Sequence, residues 1–513
     1  MKVSEISYQE TNKFSKLALD YLSEEIKLKP FINHFPTLEN FEKQITEKQK
    51  HPVNREVLVE VLQQQNSNVS LSGQSQKNID SLLNKDTFTV TSGHQLCLFT
   101  GPLYFIYKII STINLAEALQ EKYPKNNFVP IFWMATEDND FQELNHIHIF
   151  GKKIEWESEQ SGAVGRMSLD GFESVLIELK SVLGTSENSE KLISLFENAY
   201  LKNDNLADAT RYLVNELFGE YGLVILDGDD KKLKQQFIST IKKDVLKQGF
   251  EKTITKCSED LGVEYKVQAY VRAINFFKLS KGKRELIKGG VTKEEIEENP
   301  ERFSPNVLLR PHYQETILPN IAYIGGAAEV AYFMQLKTAF EQENIPFPIL
   351  LLRNSAMLLN VSQNKRRQDL GFSIADLFLE EHQLQKNFIL SQTKADVSLQ
   401  KEIEKMESVY ASMLKKTTDV GLQNSIKSQL QKQEKSFKQL EQKLLRLEKQ
   451  KHENSLVQIS KLKANLFPNN GLQERHDNFI SFYLTHGEKF IKIMKENLNP
   501  INPNFVVLTP KIK

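Results

Sequence analysis

A chain of 513 residues is too long for one ordinary core, so about two to four domains are expected. Its 66 Lys and Arg balance 66 Asp and Glu, so no global field draws it to nucleic acid or an anionic membrane, and neither is expected as a partner. A hydrophobic content of 40% with 31 Phe and 15 Tyr excludes a disordered chain, and the two cysteines, Cys97 and Cys257, exclude a disulfide framework or a four-thiolate zinc site.

Residues 1–85 carry helical spacing, as in Phe14, Leu17, Leu19, Tyr21 and Leu22, and end in a loop-like Ser/Asn/Gln stretch at 64–78. They read as a helical segment packed on a core. The opening MKVSEISYQETNKFSKLALDYL has no apolar stretch of signal-peptide type. No run approaches the ~20 apolar residues of a membrane span, so a cytoplasmic protein is expected. Five strand-like runs follow: Phe88-Thr-Val-Thr, Phe128–Met134, Leu223–Asp227, Ile321–Gly326 and Phe347–Leu352. Short apolar strands separated by helices predict an α/β fold with a parallel sheet covered on both faces. The core is expected over 86–150, 206–254 and 309–379. Insertions are expected at 151–205 and 255–308, the second carrying the basic KLSKGKRELIKGG.

From 380 to 463 the sequence turns Lys/Gln/Glu-rich. Ile426, Leu430, Phe437, Leu440, Leu444 and Leu447 step by 4, 7, 3, 4 and 3, the seam of a coiled coil. Thr417-Thr-Asp-Val-Gly breaks the pattern, so two antiparallel helices are expected, with Asp419 as a cap and Gly421 relaxing the turn. A homodimer through this arm would cover its apolar seam. Residues 464–513 should return to the core through Phe479, Phe482 and Tyr483.

Several strands end in polar or glycine-rich residues, and ligands of open parallel sheets gather at such ends. His94 and Gln95 follow the first strand, and Thr100-Gly101-Pro102 leads into a helix whose start suits a phosphate or carboxylate. Tyr104 and Lys108 are one helical turn apart, so one packs while the other reaches the loop. Glu137, Asp138 and Asp140 crowd the end of the second strand, where each needs a cation, a donor or a raised pKa. Asp227, Asp229 and Asp230 repeat this past the third strand. Arg310 suits a carboxylate through a bidentate pair. Gly325-Gly326 permits close backbone approach, and Glu329 falls in the following first helical turn. His146 and His148 alternate on one face, but matching metal ligands are absent from any motif and no metal is assigned. Cys97 lies near His94, yet Leu96 and Leu98 flank it, so it reads as a packed thiol.

The ordered segments SGHQLCLFTGPLYFIYKI, FWMATEDNDFQELNH, GLVILDGDD, NVLLRPHYQETILPNIAYIGGAAEVAYF and LFPNNGLQERHDNF resemble the bacillithiol-biosynthesis cysteine-adding family BshC, from about residue 85 to the C-terminus. The resemblance implies a Rossmann-like core similar to class I aminoacyl-tRNA synthetases, with two connective insertions and an antiparallel coiled coil. It also implies a ligase that joins cysteine through its carboxyl to the amine of glucosaminyl malate. Two departures stand out: Leu96-Cys97 follows GHQ where the family commonly has Pro-Gly, and Asn139 stands where it commonly has the histidine of EDHD.

On this reading His94, Gln95, Asp138 and Asp140 are the expected catalytic residues. Gly93, Thr100, Gly101, Tyr104, Lys108, Glu137, Asn145, Asp227, Arg310, Gly325, Gly326 and Glu329 are expected to bind substrate or nucleotide. ATP or another nucleotide is the expected co-substrate, by analogy with synthetase chemistry. Two rival classes are a metal-dependent hydrolase using His94, the Glu137–Asp140 loop and His146/His148, and a non-catalytic coiled-coil interaction protein.

Overall fold

The computed structural model describes residues 1–392 and 398–511. Residues 393–397, within the expected coiled coil, and 512–513, at the end of the expected C-terminal segment, lie outside the described residues. The chain forms two compact units. The larger comprises Glu5–Met357 and Gln473–Val506; the smaller comprises Met1–Ser4, Leu358–Leu472 and the residues from Val507 on.

The larger unit is built on a five-stranded, wholly parallel sheet. Its strands are β1 (Thr87–His94), β2 (Asn127–Met134), β3 (Val224–Asp227), β4 (Asn320–Gly325) and β5 (Ile349–Leu352). All five expected strands are present. Their spatial order is β5-β4-β1-β2-β3. The chain therefore runs outward from β1 through β2 to β3, then crosses back to place β4 on the other side of β1. That reversal is the topological switch point, where the loops leaving β1 and β4 part and open a crevice.

Burial on both faces explains the continuous apolar runs. Phe88, Val90, Phe128, Ile324, Ile349 and Leu351 face one cluster, with Leu115 and Leu119 of helix α1 (Tyr104–Lys122). Val129, Ile131, Trp133, Tyr323 and Leu350 face the other, with Leu17, Tyr21, Leu58 and Leu62 of the N-terminal helices. The N-terminal segment thus covers one face of the sheet. The Ser/Asn/Gln stretch expected as a loop instead contains a helix, Gly73–Ser81. Ser72 caps it by accepting the Ser75 N–H at 3.0 Å, and Ser75, buried, donates to the carbonyls of Gly219 and Leu223. Serines that cap or pair internally satisfy a helix as well as a loop, which composition alone does not distinguish.

Past β2, the strand His146–Ile149 pairs with Lys152–Glu155, followed by the helices Phe172–Leu183 and Glu187–Leu201. Between β3 and β4, a three-stranded antiparallel sheet (Phe276–Ser280, Lys283–Leu286, Phe303–Pro305) packs on the core through Phe276 and Phe303. It is followed by helix α2 (Arg310–Ile317) and, after β4, by helix α3 (Ala327–Met334). Phe479 and Tyr483 are buried in the larger unit and Phe482 is half-buried, as the apolar face predicts.

The smaller unit contains helix α4 (Gln400–Leu414) and the 32-residue helix α5 (Val420–Lys451), joined by a short turn. Asp419 caps α5 by accepting the Leu422 N–H at 2.7 Å. Gly421 lies inside the first turn of α5 rather than in the connection, so the bend rests on residues 415–419.

Candidate active site

The register of the sheet sets His94, Met134 and Asp227 side by side at the C-terminal ends of β1, β2 and β3. Beyond them opens a cavity of about 680 Å³. Its floor is Gly93, His94, Trp133, Met134 and Tyr323; its walls come from Gln95, Lys108, Thr136–Asp138, Arg310, Glu329 and Tyr332. Tyr270, Arg272, Phe277 and Arg284 from the second insertion complete it.

His94 is nearly enclosed by Tyr104 and Phe105, its ring centroid 5.3 and 5.0 Å from theirs. Its Nδ1 lies 2.9 Å from the Gln95 carbonyl. A carbonyl only accepts, so the proton sits on Nδ1 and Nε2 keeps its lone pair. Burial, reinforced by the Lys108 charge, pushes the imidazole down to about 4. Burial lifts the adjacent Cys97 thiol to about 12; it is a packed thiol, as its apolar flanks predict.

Lys108, on the first turns of α1, reaches back to the end of β1. Its ammonium donates to the Gly93 carbonyl at 2.7 Å and pairs with Glu329 at 2.5 Å. Burial pushes the Glu329 carboxyl up, but Lys108, the Gly326 N–H at 2.8 Å and the Tyr323 hydroxyl at 2.7 Å more than offset it, and Glu329 is held at about 2. Glu329 thus closes the first turn of α3 and anchors the cation.

Gln95 donates to Asp138 at 2.7 Å and to Glu143 at 3.1 Å. Glu137 accepts from Lys234 at 2.6 Å; Lys234 is fully buried and also donates to the Phe303 carbonyl at 2.7 Å. Burial raises Glu137 to about 7 despite that cation. Arg310 is flanked by the rings of Trp133, Tyr323 and Phe333 at 5.4–6.0 Å. Its Nη1 donates to Gln314 at 3.0 Å, while its buried Nη2 has no hydrogen-bond partner.

A second cavity of about 350 Å³ shares Gln95 and Tyr104 with the first and is lined by Gly101, Pro102, His146, His148, Arg475 and His476. The turn before α1 is tight: Phe99, Thr100 and Gly101 all have positive φ. At Gly101 a Cβ would stand 2.5 Å from that of Cys97, so only glycine fits. Asn478 pins the turn, donating to the carbonyls of Phe99 and Gly101 at 2.9 and 2.6 Å. The rings of His146 and His148 lie 5.4 Å apart, and His148 stacks on His476 at 4.8 Å. Among the described residues no cluster of three or more His, Cys, Asp or Glu is disposed to hold a metal.

Comparison with known proteins gives this geometry a context. Residues 1–354 match the family described as "Bacillithiol biosynthesis BshC, N-terminal Rossmann-like domain", and residues 356–510 match "Bacillithiol biosynthesis BshC, C-terminal coiled-coil domain". The chain belongs to the BshC family. A relative from Christiangramia forsetii is 46% identical over 532 residues, covering 98% of each chain. One from Flavobacterium johnsoniae is 45% identical over 525 residues, covering 98% of this chain and 99% of its own. One from Lysinibacillus sphaericus is 26% identical over 514 residues, covering 93% and 95%. All three carry the name "Putative cysteine ligase BshC".

Within this BshC fold the cavity gathers Gly93, His94, Gln95, Tyr104, Lys108, Glu137, Asp138, Arg310 and Glu329 from the residues expected by sequence. Gly326 contributes through its N–H to Glu329, and Gly325 ends β4 beside it. Asp140 is exposed and does not line the cavity, so an expected catalytic residue stands outside it. Thr100 is buried within the turn, with its hydroxyl unpartnered. Asn145 donates to Glu155 and the Trp156 carbonyl, holding the hairpin, and Gly101 faces the second cavity. Asp227 accepts from the Thr136 hydroxyl and the Asp229 N–H, and burial lifts its carboxyl to about 6. Asp229 takes a two-pronged bond from Arg166, and Asp230 caps the helix Lys231–Gln235.

Sequence reasoning missed Trp133, Tyr323, Tyr332 and Arg284 as cavity residues. Arg284 donates to Asn139 at 3.0 Å and to the Pro305 carbonyl at 3.2 Å, and lies over Phe277. The basic run KLSKGKRELIKGG was its available signal. Asn139 is therefore the partner of a cavity arginine.

Proposed function

We propose that this BshC chain is a ligase that joins cysteine, through its carboxyl, to the amine of glucosaminyl malate, with ATP as the activating co-substrate. The observation that carries this reading is Arg310: a half-buried guanidinium on the wall of a cavity that also holds carboxylates, with a buried Nη2 that lacks a hydrogen-bond partner. A planar fork fixed between aromatic rings matches a carboxylate bidentately, as malate would supply. Glu137 and Asp138 on the neighbouring wall suit an ammonium group, so the cavity offers both charges of an amino-bearing dicarboxylate. Its size falls in the range of small-molecule sites.

The second cavity supports the ATP part of the reading. It meets the first at Gln95 and Tyr104, sits against the start of the 19-residue helix α1, and carries Arg475. A helix start and an arginine together suit phosphate oxygens. A homodimer through α4 and α5, in a cytoplasmic setting, completes the proposal. No described helix is long and apolar enough to cross a membrane.

The test is incubation of the protein with cysteine, glucosaminyl malate and ATP, reading the product by mass as the two substrates less one water. Arg310→Met is expected to raise KM for glucosaminyl malate at least ~10-fold, the order of one lost charge-assisted pair, while KM for cysteine stays within about twofold. An equal effect on both substrates would move the malate carboxylate away from Arg310.

A further inference from the structure

We infer that Glu137 is the general base that frees the attacking amine. The inference rests on the ligase reading above and names a group within that cavity.

Among the described residues three carboxylates line the cavity: Glu137, Asp138 and Glu329. Two are committed on both oxygens. Asp138 accepts the Gln95 amide on Oδ2 at 2.7 Å and the Asn139 N–H on Oδ1 at 2.7 Å. Glu329 accepts the Tyr323 hydroxyl on Oε1, and both the Gly326 N–H and Lys108 on Oε2. Glu137 differs: Oε1 takes Lys234, and Oε2 receives no hydrogen bond. Its partner cannot wander, because Lys234 is fully buried, tied to the Phe303 carbonyl and set over the Tyr313 ring at 5.1 Å. Glu137 is thus a carboxylate fixed on one side, with a free lone pair on the other, at the C-terminal end of β2.

The other groups at the site are poorer bases. His94 has an acceptor nitrogen, yet burial and Lys108 hold it near 4, so at neutral pH it stays neutral and is a weak base. Cys97 is held as a thiol. Burial, helped by the Asp229 charge and opposed by Lys234 and Arg284, brings Glu137 to about 7, close to neutral and so suited to accepting a proton from an ammonium group. His94 Nε2 then serves as a hydrogen-bond acceptor for substrate, and the absence of a histidine at position 139 leaves no base missing.

The step balances as follows. The substrate ammonium passes one proton to Glu137 Oε2, giving a neutral amine and a carboxylic acid. The nitrogen lone pair attacks the carbonyl carbon of the phosphate-activated cysteine and a C–N bond forms. The bond from that carbon to the phosphate oxygen breaks, its electron pair leaving with the oxygen. The second proton leaves the nitrogen with the departing phosphate, and Glu137 returns its proton to water.

The experiment is the pH profile of kcat/KM for glucosaminyl malate in the wild type, Glu137→Gln, Lys234→Met and the double variant, with melting temperatures alongside. The wild type is expected to lose activity tenfold per unit below an acidic midpoint near neutrality. Glu137→Gln should lose ~10²–10⁴-fold in kcat, the usual share of a general base. Lys234→Met should move the acidic midpoint to higher pH, by about 1–3 units, because the removed cation favoured the ionised carboxyl. The double variant removes the unpaired buried lysine of the single Gln variant, and should regain melting temperature without regaining rate. A midpoint that stays put in Lys234→Met would belong to the substrate amine and overturn the assignment, as would a Glu137→Gln enzyme within threefold of wild type. A wild type that makes no product fails the ligase reading itself, a different result from an active enzyme indifferent to Glu137.

Discussion

Lys108 and Glu329 hold the two sides of the switch point together, one from the helix after β1 and the other from the helix after β4. Lys108 is buried and Glu329 only a quarter exposed, so removing the lysine leaves a largely desolvated carboxylate without its cation. Lys108→Met is expected to cost about 3–5 kcal/mol in urea unfolding, and Lys108→Met/Glu329→Gln to recover most of it. A double variant as unstable as the single would assign the loss to packing around α1. The pH dependence has a definite sign. Because Glu329 is held at about 2 in the fold, its contribution is complete above the ordinary carboxyl value and is lost as pH falls toward 2. Acid unfolding of the wild type should therefore steepen below pH ~4.5, and Glu329→Gln should lack that portion.

Helix α2 carries an opposite case in its interior. His312 is fully buried between Phe250 and Phe340, and neither ring nitrogen finds a hydrogen-bond partner. Burial pushes it down to about 3. The unfolded chain then binds the proton first, so stability is intact above about 6.5, the unfolded value, and declines as pH falls toward 3. His312→Phe should remove about 2 kcal/mol of the stability difference between pH 8 and pH 5, measured by urea unfolding at each. His94 and His51 are lowered in the same direction, so some dependence will persist. In the smaller unit, Asp419→Ala should cost about 1 kcal/mol through the lost cap of α5, read as an earlier melting of the helical signal.

At the scale of the whole molecule the seam of α5 sets the expectation. Ile426, Leu430 and Phe437 are half-buried, but Leu440, Leu444 and Leu447 remain 48%, 37% and 59% exposed. Val409 and Met413 on α4 are also exposed. Leucines left open at heptad spacing call for a partner helix, and a second copy meets this through a twofold contact. Light scattering at micromolar concentration should give a dimer of a 59.1 kDa chain, and Leu440→Lys/Leu447→Lys should give a monomer. A monomeric wild type would overturn the dimer, and a dimer that survives both lysines would relocate it.

Much of this was written in the sequence. Five short strand-like runs were legible because a parallel sheet is buried on both faces; in β1 the alternating Thr89 and Thr91 are buried too, their hydroxyls donating to Asn320. His94, Gln95, Glu137 and Arg310 were legible because they stand at strand ends or helix starts, where such a sheet opens. The heptad steps and the Asp419 cap were legible because they depend on neighbours a few residues away. Other features were decided only by tertiary structure. Asp138 and Asp140 look equivalent in TEDND, yet the chain turns between them, and one lines the cavity while the other faces solvent. Asp227 and Asn145 are polar at the right places but spend their hydrogen bonds on the scaffold. Arg284 reaches the cavity from 145 residues beyond its partner Asn139, a distance no local pattern spans. Which carboxylate keeps an oxygen free is likewise a matter of who else arrives: Lys234 comes from the helix after β3, Lys108 from the helix after β1. Local spacing fixes where a chain becomes strand, helix or turn, whereas charge and proton affinity depend on groups that only the folded core brings within a few ångströms.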